Sequence, residues 1–171
     1  MSETWVYVGG TFDLFHYGHA SFLEQCKKHG KVVVSLNTDA FASRYKRRPI
    51  LSLEERIKSV QSCKWVDLIT VNVGNEDSGY TIDKIDNIPI KYIAHGDDWN
   101  NVGLMHQLGI DQSWLDQKEI KMLYIPYTKG ISTSEIIGRV NGDHHRRGNC
   151  SCGLGESCSY PGVAGETNPK A

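Results

Sequence analysis

Residues 5–20 read WVYVGGTFDLFHYGHA, and the fold turns on how this stretch is parsed. Trp5 to Val8 is an apolar run of strand character, stopped by Gly9 and Gly10. Helical spacing starts a few residues later in HASFLEQCKKHG (19–30), with Phe22, Leu23 and Cys26 on one side and Lys27 and Lys28 ahead of Gly30, a suitable C-terminal stop. A strand, a glycine turn and a helix in that order are the opening of a βαβ unit. Glycines at such a turn let the backbone come close to a ligand.

The pattern repeats outward. VVVSL (32–36), VDLITV (66–71), IKYIAH (90–95) and IKMLYI (120–125) are nearly continuous in apolar character, as strands covered on both faces are. In SLEERIKSVQSC (52–63), Ser52 with Glu55 forms a capping box and Ile57, Val60 and Cys63 an apolar stripe. A last helix opens at Ser132, again with a glutamate, Glu135, three positions on. The alternation predicts an α/β fold, a Rossmann-like doubly wound parallel sheet of about five strands in a single domain over 1–141. Ligands of such sheets bind beyond the carboxyl ends of the strands, where the polar clusters of this chain also fall. From Gly142 the apolar periodicity stops, and 142–171, rich in Gly, Ser and Cys, reads as a flexible tail.

Composition narrows the function. The 171 residues carry 19 basic and 20 acidic side chains, a net charge of −1, so no global field steers the chain to nucleic acid or an anionic membrane. No apolar run is long enough to span a bilayer, and MSETWVYVGG lacks the features of a secretory leader, so a cytoplasmic location is expected. Five cysteines argue against a disulfide framework, and Cys26 and Cys63 are expected to pack as small apolar residues. His144, His145, Cys150, Cys152 and Cys158 in the tail have zinc-ligand chemistry without the paired Cys-x-x-Cys spacing.

His16 and His19 stand around Gly18 where the first helix begins. One reading has one imidazole capping the helix and the other packing. The other has both donating to an anion held at the helix N-terminus. The strand before and the helix after favour the second. GISTSEII (130–137) sets Ser132, Thr133 and Ser134 at another helix start, where they cap and can also hold phosphate oxygens. RYKRRP (44–49) gathers four cations, and HGDDWN (95–100) follows the fourth strand.

Gly10-Thr11-Phe12-Asp13 followed by His16-Tyr17-Gly18-His19 resembles the first signature of the cytidylyltransferases within the HxGH nucleotidyltransferases. Gly130-Ile131-Ser132-Thr133-Ser134 resembles their second signature, and His95-Gly96-Asp97-Asp98-Trp99 is most similar to the glycerol-3-phosphate branch. The resemblance implies transfer of CMP from CTP to a small alcohol phosphate, glycerol 3-phosphate first, with release of pyrophosphate. It implies Mg²⁺ carried mainly by the nucleotide phosphates, with no protein metal ligand assigned, and a homodimer paired through the first-motif region. It gives His16, His19 and Lys46 catalytic roles, with Lys46 bridging the α-phosphate and the acceptor phosphate. Gly10, Thr11, Phe12, Asp13, Gly18, Lys64, Asp98, Ser132 and Thr133 would bind the nucleotide; Trp99, Tyr127 and Lys129 would face the acceptor.

Two positions depart from the family pattern. Tyr127 stands where the relatives carry arginine before Thr-x-Gly-Ile-Ser-Thr, and Lys64 where they carry arginine in the KWVD segment. Lys129 is a candidate replacement for the first charge. The open alternatives are a phosphocholine, phosphoethanolamine, other polyol-phosphate or phosphonate cytidylyltransferase, an adenylyltransferase, and a nucleotide sensor without turnover. For a choline acceptor, Trp99, Trp114 and Tyr127 are the candidate aromatic cage.

Overall fold

The computed structural model describes residues 3–45, 47–72, 82–83, 85, 88–97, 105 and 108–142. The chain runs β1 (Trp5–Gly10), α1 (Tyr17–Lys27), β2 (Lys31–Asn37), α2 (Asp39–Tyr45), α3 (Leu53–Gln61), β3 (Leu68–Asn72), β4 (Ile90–Gly96), α4 (Gln112–Lys118), β5 (Lys121–Ile125) and α5 (Thr133–Val140). The five strands form one all-parallel sheet in the order β3-β2-β1-β4-β5. The doubly wound α/β expectation therefore holds, and each predicted strand is present within a few residues of its apolar run. Residues 143–171, most of the expected tail, lie outside the described residues, as do its cysteines and histidines.

β1 sits in the middle because both its faces can be buried. Val6 and Val8 point to one core, with Leu23 and Cys26 from α1, Val32, Val34 and Leu36 from β2, and Val60 from α3. Trp5 and Tyr7 point to the other, with Val33, Ile93 and Leu115 of α4. Burial pushes the Cys26 thiol up to about 12, in keeping with a packing role.

β3 starts at Leu68 rather than Val66 because Asp67 is used otherwise. Its carboxylate accepts from the Val32 amide at 2.7 Å and from Lys27 Nζ at 2.6 Å, tying α1 to the start of β2. Two helices were not foreseen. α2 buries only Phe41 and Ala42, and α4 only Leu115, so neither carries a periodic stripe. Among the described residues no helix is long and apolar enough to cross a membrane.

Candidate active site

Strand order reverses beside β1: the chain moves outward through β2 and β3, then returns to place β4 on the opposite side of β1. The crevice this leaves at the carboxyl ends of β1 and β4 opens into a cavity of about 710 Å³. It is lined by the β1–α1 loop, the start of α1, Arg47, the end of β4, and the segment entering α5. Gly10 is needed because the Phe12 ring folds back over it. A Cβ there would lie 2.9 Å from Phe12 Cε2. Phe12 and Leu14 both take positive φ, 51° and 48°, a conformation that side chains rarely adopt and that the surrounding contacts must hold in place.

The histidine pair builds the start of α1. His16 is the N-cap of α1: the Gly18 amide donates to its Nδ1 at 3.1 Å, while the His16 amide donates to Nδ1 of His19 at 3.4 Å. This is a capping box made of imidazoles, and the three-residue spacing is the spacing such a box requires. An accepting Nδ1 places the proton of each neutral ring on Nε2, so Nε2–H is the donor each ring can offer to an anion. The rings stack at 3.8 Å between centroids and 20° between planes. Gly18 keeps this arrangement open, since a Cβ there would lie 3.0 Å from His16 Cε1 and 3.2 Å from Ile131 Cγ2. Its amide is engaged by His16 and is not offered to the cavity.

Both rings are held neutral. Burial, then the neighbouring His16, drives His19 down to about 3 from the ordinary 6.5, against a smaller opposing pull from Asp13. Burial and the charge of Arg139 lower His16, with Glu135 opposing. A group with a depressed histidine pKa takes up its proton in the unfolded chain first. Between pH 6.5 and about 3 the unfolded state therefore binds more protons than the folded one, and stability falls as the pH drops through that window. Thermal melts between pH 8 and pH 4 should show the midpoint falling on acidification, with a shallower slope in His19→Asn. An acid slope identical in the two proteins would contradict the assignment.

Asp13 is the junction of the site. It is 5% exposed, and its carboxylate accepts from the Ile50 and Leu51 amides, each at 3.0 Å, and from Arg47 at 2.7 Å. Burial works to raise its pKa, but the two amides and Arg47 outweigh it and hold the carboxyl below the usual range. Its carbonyl accepts from Thr133 Oγ1 at 2.9 Å, fastening the start of α5 to the β1–α1 loop. A third fastening comes from Arg56, 0% exposed, which donates to the carbonyls of Thr11 (2.7 Å), Asn37 (2.9 Å) and Leu51 (3.2 Å) and to Asp39 (2.5 Å). Arg56 was missed as a site-building residue because a Glu-Arg pair in a short helix reads as solvated charge.

The structure brings together Gly10, Thr11, Phe12, Asp13, His16, Gly18, His19, Tyr127, Ser132 and Thr133 around the cavity. Ser132 caps α5 by accepting from the Glu135 amide at 3.1 Å. That leaves the first-turn amides of Thr133 and Ser134, which no intrahelical carbonyl reaches. Lys64 does not line the cavity; its Nζ lies over the Trp65 ring, 4.4 Å from the centroid. Lys129 does not line it either, and Trp114 packs against the core beside Leu115. Tyr127 presents no cation: its hydroxyl donates to the Ile131 carbonyl at 3.3 Å and its amide to Asp97 at 2.9 Å. Lys46, Asp98 and Trp99 lie outside the described residues. Arg47, in the same basic segment as Lys46, is the cavity cation that the structure does describe.

Solved structures with this fold include a lipopolysaccharide core biosynthesis protein from Thermoplasma volcanium, with a TM-score of 0.56 at 20% identity over 76% of this chain and 100% of that one. Another is the pantothenate synthetase of Thermus thermophilus, at 0.52 and 13% over 79% of this chain and 61% of that one. Among curated proteins, the ethanolamine-phosphate cytidylyltransferase of Dictyostelium discoideum is 36% identical over 138 residues, covering 79% of this chain and 36% of the relative. The choline-phosphate cytidylyltransferase 2 of Arabidopsis thaliana is 32% identical over 144 residues, 82% of this chain and 46% of the relative. The chain thus spans less than half the length of these two relatives. The model of the cytidylyltransferase-like family matches residues 7–139, from the middle of β1 to the end of α5, and the chain belongs to that family.

Proposed function

We propose that this domain transfers CMP from CTP to a small alcohol phosphate, releasing pyrophosphate. The observation that carries the proposal is the stacked, neutral imidazole pair whose Nδ1 atoms are occupied by the helix start, leaving Nε2–H on each ring for phosphate oxygens. An oxygen of the acceptor phosphate attacks the α-phosphorus in line, the bond to the bridging oxygen breaks, and charge grows on the departing pyrophosphate. His16 and His19 stabilise that charge, and the first-turn amides of α5 hold the distal phosphates. Arg47, with Lys46 beside it in the chain, lowers the repulsion between two anions that must meet. No covalent nucleophile is required.

Mg²⁺ enters this reading only on the phosphates. Asp13, the one cavity-lining carboxylate among the described residues, already accepts from three donors. Phosphoethanolamine replaces glycerol 3-phosphate as the first acceptor to consider, since the relatives reported above carry ethanolamine- or choline-phosphate names. Pairing of two copies belongs to this reading, and a groove lined by Leu14, Phe15, Leu51, Ser59, Ser62 and Ile136, together with the exposed Tyr17 and Ile50, offers apolar surface for it. Light scattering that finds only monomer would remove the pairing.

Pyrophosphate release tests the reaction, with CTP or ATP offered against phosphoethanolamine, phosphocholine and glycerol 3-phosphate. Release is expected with CTP and one acceptor. Release with ATP alone would make the domain an adenylyltransferase, and CTP binding without release under any acceptor would favour the sensor reading that Tyr127 invites.

A further inference from the structure

Among the described residues, the cavity wall carries one permanent positive charge, the guanidinium of Arg47. His16 and His19 are neutral, and position 127, where the family pattern has arginine, holds a tyrosine whose hydroxyl donates to the Ile131 carbonyl. Folding does not explain the arginine at 47. Asp13 already accepts from the Ile50 and Leu51 amides, and the Arg47 side chain is 41% exposed, so the ion pair adds little stability. What the pair does is aim the guanidinium. Nη2 donates to Asp13 at 2.7 Å and Nη1 to the Arg48 carbonyl at 3.0 Å, which fixes the plane of the group and leaves further N–H donors for a second anion. The carbonyl of Asp13 meanwhile accepts from Thr133 at the start of α5. Arg47 and the first turn of α5 are therefore fastened to the same residue and line the same cavity.

We propose that Arg47 grips the pyrophosphate end of the nucleotide jointly with the first-turn amides of α5, and so supplies from the 47–51 segment the positive charge that position 127 lacks. The inference rests on the transfer reading for the presence of a triphosphate, but the choice of phosphates comes from the anchor that Arg47 and α5 share. A planar guanidinium suits the task, since two of its N–H groups can meet two phosphate oxygens, whereas an ammonium offers only a point charge. As the bond from the α-phosphorus to the bridging oxygen breaks, the electron pair leaves with the pyrophosphate, and the charge that grows there is met by Arg47.

Calorimetric titration of the full chain in Mg²⁺ buffer with inorganic pyrophosphate, CMP and an α,β-methylene analogue of CTP tests this in wild type, Arg47→Ala, Arg47→Lys and a double variant that joins Arg47→Ala with Tyr127→Arg. Arg47→Ala should raise the Kd of pyrophosphate and of the CTP analogue about tenfold and leave CMP, which lacks the distal phosphates, unchanged. Arg47→Lys should fall between the two. The double variant, with its cation returned to the segment entering α5, should recover most of the loss. The melting temperature of Arg47→Ala should stay level, because Asp13 keeps both backbone donors, whereas a merely structural role would lower it. Wild-type pyrophosphate affinity in Arg47→Ala, an equal loss for CMP, or a double variant as weak as the single one would overturn the assignment. If neither pyrophosphate nor the CTP analogue binds the wild type, the transfer reading falls and the assignment falls with it.

Discussion

Replacing His16 by serine should leave the protein as stable as wild type and lower turnover by about 10²–10³-fold. Serine keeps the N-cap acceptor for the α1 amides but has no Nε2–H, so the variant separates the cap from the proposed contact with phosphate. His16→Ala should lose both, with the same fall in turnover and about 1 kcal/mol of stability from the missing cap. His19→Ala should match it in turnover. Because the rings stack at 3.8 Å and orient each other, the double variant should be little worse than either single one. Steady-state turnover and chemical denaturation on the four proteins read both effects. Near-wild-type turnover in His16→Ser would show that the pair serves the helix alone.

Asp13→Ala is the second large change, and it should act at a distance from the chemistry. It removes a carboxylate that is itself 5% exposed and leaves the Ile50 and Leu51 amides without their acceptor, which should cost about 2 kcal/mol. The Arg47 pair adds little to that figure because the arginine is 41% exposed. With the 47–51 segment no longer fastened, Arg47 loses its position at the cavity, and a misplacement of about 1 Å is enough for a 10²-fold loss of turnover. The comparison with Asp13→Asn is informative, since one amide oxygen can still accept from one of the two backbone donors. Intermediate stability with intermediate turnover, both measured well below the melting temperature, is expected. Full turnover in a destabilised Asp13→Ala would mean that the fastening matters only to the fold.

The sheet was legible in the sequence because strands covered on both faces leave unbroken apolar runs, and Val32 to Leu36 can hardly be anything else. The capping serines were legible for the same reason: Ser52 and Ser132 act locally, three residues from their partners. What stayed hidden works across the fold. Arg56 reads as a charged helix residue and is in fact fully buried, because its partners are carbonyls from two loops and from the end of β2, with the Asp39 carboxylate beside them. The two imidazoles carried two competing readings, a helix cap with a packed partner or a pair of anion donors; the structure shows Nδ1 of each ring engaged at the helix start while both residues line the cavity.

The hydrogen bond from Thr133 to the Asp13 carbonyl joins residues 120 apart. α5 has no fully buried residue, so little apolar burial opposes its local unfolding. When α5 frays, the first motif loses one of its fastenings and the cavity loses the amides that would hold distal phosphates. A bound triphosphate, touching both, would draw the helix back by mass action. Slow amide exchange in α5 and in the 11–16 loop would then rise and fall together, and protection of the helix would report occupancy of a site formed mainly by the opposite end of the chain.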